Sequence, residues 1–246
     1  MRKARIGCSG FNYGSWRGTF YPRDLPQKEW LGHYSTVFST VELNVTFYRL
    51  PSTATFDRWY EETPPGFGFS VKGSRFLTHV KRLKEPEEPV ALFFERARRL
   101  KEKLCVVLWQ FPPGFGFDGE RLTRFLDALR PYSARNTLEF RNDSWLTEEV
   151  VSACGDNGVG LCLADWPGFL DDVPLTANFV YVRRHGRGGN HAAGYSRDAL
   201  RKDAKRIREF LSGGRDVFIY FNNDAYGYAP KNARELMEMT KGGNAG

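Results

Sequence analysis

No apolar run in this chain approaches the roughly 20 residues needed to cross a bilayer, so a membrane-spanning helix is not expected. Met1-Arg-Lys leads into polar residues without an apolar signal region, and a cytoplasmic location is expected. Cysteine is scarce: Cys8, Cys105, Cys154 and Cys162 show no CxxC spacing, and three of them fall within apolar, strand-like runs. They read as small buried hydrophobes in a reducing compartment, not as a disulfide or zinc framework. A nucleophile elbow, a P-loop and a dinucleotide fingerprint are also missing, which disfavours acyl transfer, NTP hydrolysis and hydride transfer. No compositional linker marks a second domain.

What is present is a 246-residue chain, 41% hydrophobic and 26% charged, which is enough to build a sizeable core. The formal charge of +7 and the isoelectric point near 9.3 favour anionic partners, a small molecule or nucleic acid, through long-range attraction. Much of that charge lies in 96–103 and 197–208, where solvated faces of amphipathic helices account for it. Nothing indicates a protein partner.

Eight apolar segments read as strands: 5–10, 40–44, 67–73, 104–110, 135–141, 159–165, 178–185 and 216–224. Helices are predicted over 27–36, from a Ser52 cap to about 62, from Pro89 to about 103, and from Asp118 to about 129. Others are predicted over 144–156, from a Ser196 cap to about 212, and from Pro230 to about 240. The charged, proline-punctuated stretch 75–89 reads as a mobile loop, and 242–246 as a frayed tail. Strands rich in Val, Leu, Ile and Phe, mostly separated by helices, have the cadence of an α/β single-domain (β/α)₈ barrel with a core of about 5–241. An open doubly wound sheet competes, but the first strand lacks its glycine-rich turn.

In a barrel of this kind the C-terminal strand ends form the active-site face. In TVELNVTFY, Val41, Leu43 and Val45 alternate with Glu42 and Asn44, so an extended chain puts carboxylate and amide on one face. The pattern recurs: Glu139 with Arg141, Arg183 with His185, and Asn222 with Asp224. Ser9, Lys72, Gln110 and Asp165 complete the set, and Gln110 is one of only two glutamines. A buried ion-pair network could use the same residues, with Glu42–Lys72 and Glu139–Arg141 as neutral pairs. Such pairs stabilise poorly, because desolvation offsets most of the Coulomb gain.

GCSGFNY with Trp16 and Phe20-Tyr21-Pro22, FSTVELNVTFY, Lys72, Gln110-Phe111-Pro112, LEFRNDSW, YVRRHG and YFNND together resemble the YecE-like family. That family consists of TIM-barrel proteins known mainly as a domain of unknown function. The resemblance spans nearly the whole chain and implies a cytoplasmic barrel, without fixing a reaction or substrate.

Several chemistries fit these residues. A hydrolase or lyase acting on a phosphate-bearing substrate would use the loop 186–194, beginning at Gly186, as an anion cradle, with Arg141, Arg183 and Lys72 as counter-charge. Glu42, Glu139 or Asp165 would be the base and His185 the acid, with Ser9, Asn44, Gln110, Asn222 and Asp224 contacting substrate. Metal-assisted chemistry needs clusters of His, Asp and Glu at strand ends. Only His185 among the four histidines ends a strand, so no metal ligands are assigned and the cofactor stays open. A sugar-acting enzyme would stack rings on Tyr13, Trp16, Trp109, Trp145 or Trp166 and use paired carboxylates. The non-enzymatic alternative is a nucleic-acid binder with phosphate contacts and stacked bases. Glu139→Gln and His185→Ala are expected to abolish turnover while sparing stability.

Overall fold

A computed structural model describes residues 2–241; the tail 242–246, expected to fray, lies outside the described residues. The strands are β1 (Ala4–Ser9), β2 (Thr40–Leu43), β3 (Gly68–Lys72), β4 (Leu104–Gln110), β5 (Arg135–Glu139), β6 (Gly160–Ala164), β7 (Phe179–Arg184) and β8 (Asp216–Phe221). They form a closed parallel barrel in chain order. The helices are α1 (Trp30–Val37), α2 (Val45–Tyr48), α3 (Thr53–Glu61), α4 (Glu87–Ala97), α5 (Gly119–Leu129), α6 (Glu148–Asp156), α7 (Arg197–Ser212) and α8 (Tyr228–Lys241). Between β6 and β7 there is only a 3₁₀ turn, Gly168–Leu170.

By compactness the chain divides into two units. The first comprises the chain up to Glu42, Leu163–Asp171 and everything from Asn178 on. Here β8 pairs with β1 from Ala4↔Val217 to Cys8↔Phe221 and with β7 from Phe179↔Asp216 to Arg184↔Phe221. Tyr34 of α1 reaches into the sheet, where its hydroxyl accepts from the Cys8 N–H at 2.8 Å and donates to the Thr40 carbonyl at 3.0 Å. A side chain at Gly7 would meet both the Thr40 carbonyl and that hydroxyl, so only glycine fits. Tyr21 and Trp30 stack at 4.6 Å beside the buried Trp16.

The second unit, Leu43–Cys162 with Asp172–Ala177, holds β3 to β5 and most of β6. Its core is aromatic: Trp109 lies against Phe93 and Phe125, and Trp145 stacks on Phe140. Asp118 caps α5 by accepting the Arg121 N–H at 3.1 Å, and Thr147 caps α6 through the Val150 N–H. That cap starts α6 at Glu148 instead of near 144. Pro89 stands third in α4, as Pro230 does in α8, and both remain in the first turn, where a missing N–H leaves no bond unmade.

Three readings of the chain need correction. Strand β8 ends at Phe221 and Asp224 has helical angles (φ −78°, ψ −15°), so Asn222 and Asp224 do not share a strand face. Strand β2 ends at Leu43, and Asn44 has helical angles (φ −96°, ψ −19°) as the residue before α2, so it does not share a strand face with Glu42. The stretch 75–89 is not a loose loop. Phe76–Val80 forms a π-helical turn, and Leu77, Thr78 and Leu83 are fully buried. Its high charge disguised two apolar anchors six residues apart.

Candidate functional site

In the first unit the alternation along β7 sends Tyr181 and Arg183 to one side and Arg184 to the other. Arg183 grips the buried Glu42 with two nitrogens, Nε to Oε2 at 3.1 Å and Nη2 to Oε1 at 2.9 Å. Tyr181 donates to Glu42 Oε2 at 2.6 Å, and the Ser9 hydroxyl donates to Oε1. Ser9 and Glu42 stand opposite each other in the β1–β2 register. Burial first, then the neighbouring Glu42 charge, hold the Tyr181 phenol protonated far above the ordinary tyrosine range.

The chain of contacts continues outward. Arg183 Nη1 lies 3.2 Å from His185 Nε2. Because a guanidinium can only donate, Nε2 is the acceptor, and the neutral imidazole carries its hydrogen on Nδ1. Nδ1 is 3.4 Å from Asp165 Oδ1, which also accepts the His185 backbone N–H at 2.8 Å. The Tyr195 hydroxyl donates to Oδ2 of the same carboxylate. Burial by itself would raise the pKa of Asp165; the bonds from His185 and Tyr195 outweigh it and hold the acid below its ordinary value. Asp165 is partly accessible, with 17% of its side chain exposed against 2% for His185.

After β8, Asn222 contributes mainly backbone: its N–H donates to the Arg184 carbonyl at 2.7 Å and its carbonyl lies 2.5 Å from His191 Nδ1. Asp224 is half-buried, and desolvation raises its pKa. The glycine-rich loop departs from the expected cradle. The Gly186 N–H donates to the Tyr195 hydroxyl at 2.7 Å, and the amides of Gly189, Asn190, Ala192 and Ala193 are donated within the loop itself. Gly186 has φ +90°, and a Cβ there would collide with the Asn190 carbonyl. Its glycine serves a tight turn, with those amides already engaged.

In the second unit Glu139 and Arg141 form the ion pair read from their spacing, both buried. Gln110 lies opposite Glu139 at the ends of β4 and β5. The Lys72 ammonium sits 4.1 Å from the Phe47 ring, a cation–π contact that anchors the end of β3. Asn44 precedes α2 next to it. His79 packs edge-on against Phe47, and burial, followed by the charges of Lys72 and Arg75, brings its pKa down to about 4.

The aromatic residues expected at the mouth are mostly core. Trp16, Trp109 and Trp145 are fully buried, with their indole N–H groups bound to Asp224 O, Asn136 Oδ1 and Phe115 O. Only Trp166, 46% exposed, keeps an open face among these tryptophans. Among the described residues no group of three or more His, Cys, Asp or Glu is placed to hold a metal ion. The burial of Glu139 and His185 argues against the expectation that replacing them would spare stability. Tyr181 and Tyr195 were not foreseen. Tyr181 is legible in retrospect, two residues before Arg183 on the same strand face; Tyr195 has no local signal.

A family model described as "Protein of unknown function DUF72" matches residues 5–245. The UPF0759 protein YunF of Bacillus subtilis (strain 168) is 28% identical over 266 residues, covering 95% of this chain and 93% of YunF. The UPF0759 protein YecE of Escherichia coli (strain K12) is 32% identical over 100 residues, 40% of this chain and 37% of YecE. A crystal structure of a DUF72 family protein from Thermotoga maritima superposes with a TM-score of 0.85 at 30% identity, covering 97% of this chain and 99% of that one. The resemblance to YecE-like proteins therefore holds. No helix among the described residues is long and apolar enough to cross a membrane.

Proposed function

The chain belongs to the DUF72 family, and from that footing we propose that it is an enzyme, a hydrolase or lyase acting by general acid–base chemistry on a phosphate-bearing substrate. The observation that carries this reading is the polar series Glu42–Arg183–His185–Asp165–Tyr195. Asp165 is its base: it is ionised, partly accessible, and held by donors on both oxygens while keeping lone pairs for a substrate proton. His185 and Tyr195 are positioning residues that fix the carboxylate, and the buried Glu42–Arg183 pair fixes His185. The phosphate-binding half of the reading is a separate expectation for the second unit's own cations, Lys72 and Arg141, since five of the nine amides in the loop 186–194 are already engaged. The sugar-acting alternative loses most of its stacking surface with Trp16, Trp109 and Trp145 in the core, and keeps only Trp166 among its tryptophans.

The test is a panel of phosphomonoesters and phosphodiesters followed by ³¹P NMR, with inorganic phosphate titrated separately. Asp165→Asn is expected to lower turnover about 100-fold or more, the usual range for removal of a general base, with phosphate affinity unchanged. Lys72→Met is expected to weaken phosphate binding about tenfold, the scale of one charge-assisted contact. Wild-type turnover by Asp165→Asn, or the absence of any phosphate binding, would overturn the assignment.

A further inference from the structure

Between Gly73 and Lys84 the chain carries Arg75, Lys81, Arg82 and Lys84 and no acidic residue. A charge run of this kind is usually a solvated face. Here a second feature coincides with it. The π-helical turn, a form often found at functional sites, buries Leu77 and Thr78 and thereby turns Phe76 outward, 54% exposed. Arg82, Leu83 and Glu85, none of them glycine, all have positive φ (48°, 63° and 44°), while Leu83 is buried as an anchor. A segment held this firmly presents its ring and its cations in a defined arrangement.

The neighbouring α2 presents another ring. Thr46 bonds the Lys72 carbonyl at 2.6 Å and Phe47 meets His79 at 4.9 Å, so α2 and the π turn are packed together. Tyr48, at the end of α2, is 79% exposed and is followed by the exposed Arg49. Arg49, Arg75, Arg82 and Lys84 form no ion pair among the described residues, whereas Lys81 pairs with Glu85 at 2.9 Å. Phe76 has the Lys81 ammonium 5.9 Å from its centroid, and Tyr48 meets Phe47 at 5.1 Å. These two exposed rings stand among cations without ion pairs and suit a ligand with stackable bases and a phosphate backbone better than an acidic polypeptide, which offers the charge without the rings.

We propose that this face of the second unit, formed by Tyr48 and Phe76 with Arg49, Arg75, Arg82 and Lys84, binds single-stranded nucleic acid. It lies outside the Asp165 cluster and does not depend on the chemistry assigned there.

The test is fluorescence anisotropy of labelled oligo-dT and oligo-rU of about 12 nucleotides, within the usual span of such a groove, with a duplex of equal length as control. Both single strands are expected to bind more tightly than the duplex. Affinity should fall with salt at a log–log slope of about −2, as about three phosphate contacts predict. Tyr48→Ala and Phe76→Ala, at exposed positions, should each weaken binding about tenfold with unchanged melting temperature, and Asp165→Asn should bind as wild type does. Unchanged affinity in both ring variants, equal affinity for the duplex, or equal competition by poly-glutamate would overturn the proposal in favour of plain charge attraction or an acidic protein partner. Failure here leaves the Asp165 reading intact, because that reading is scored by phosphoester turnover and by binding of inorganic phosphate.

Discussion

Asp165 accepts the His185 backbone N–H on one oxygen and the Tyr195 hydroxyl on the other, and so remains ionised despite burial. Its folded-state pKa is depressed below the ordinary 3.8. A depressed acid stabilises the fold at pH values above its unfolded pKa, and that contribution is lost as pH falls through the lower folded pKa. The difference in urea midpoint between wild type and Asp165→Asn should therefore be constant from neutral pH to about 5 and should shrink below about 4. A difference that persists unchanged at the acid end would mean that the carboxylate contributes shape alone. His185 brings no compensating charge, since Arg183 fixes it as a neutral acceptor.

Strand β7 does two jobs at once, and Arg184 shows the second. Opposite the Arg183 face, Arg184 donates to Asp203 of α7 from Nε at 3.0 Å and to Asp171 from Nη1 at 2.8 Å. The strand thereby pins its covering helix while its other face carries Arg183 onto Glu42. Asp203→Ala should cost about 3 kcal/mol in urea unfolding, because it strips a buried guanidinium of one counter-charge, and Arg184→Met in the same chain should recover part of that loss. At this scale the sequence was informative wherever apolar runs were dense: all eight strands stand where their Val, Leu and Phe content put them. It misled where one pattern fitted two conformations. The alternation in TVELNVTFY suits a strand to Val45, yet the chain turns helical at Asn44. Buried polar pairs that follow strand period were legible as candidates, as with Glu42, Glu139 and Arg183. Tyr195 was not, since it reaches Asp165 from a loop 30 positions away.

The closed parallel order makes the last strand a neighbour of the first. Five register pairs, Ala4↔Val217 through Cys8↔Phe221, tie β1 to β8, and Phe179↔Asp216 through Arg184↔Phe221 tie β8 to β7. Such contacts between distant parts of the chain form only after their loop-closure entropy has been met. A chain ending at Gly214 lacks β8 and α8 and would expose β1 and β7 as unpaired edges. It is expected to show no cooperative urea transition by circular dichroism and little amide protection. A sharp transition in that fragment would show that the seam is dispensable.

One small arrangement sets a rule for how such a barrel can drift. The phenol of Tyr34 occupies the gap that Gly7 leaves open and links two strands that would otherwise bond directly. A methyl group at position 7 would collide first with the Thr40 carbonyl and would crowd the phenol oxygen, and any loss of that oxygen strands an amide and a carbonyl in the interior. Inheritance here is therefore lopsided: position 7 is barred to every side chain by a backbone oxygen whatever stands at 34, whereas position 34 is held by the two strand groups that its phenol serves.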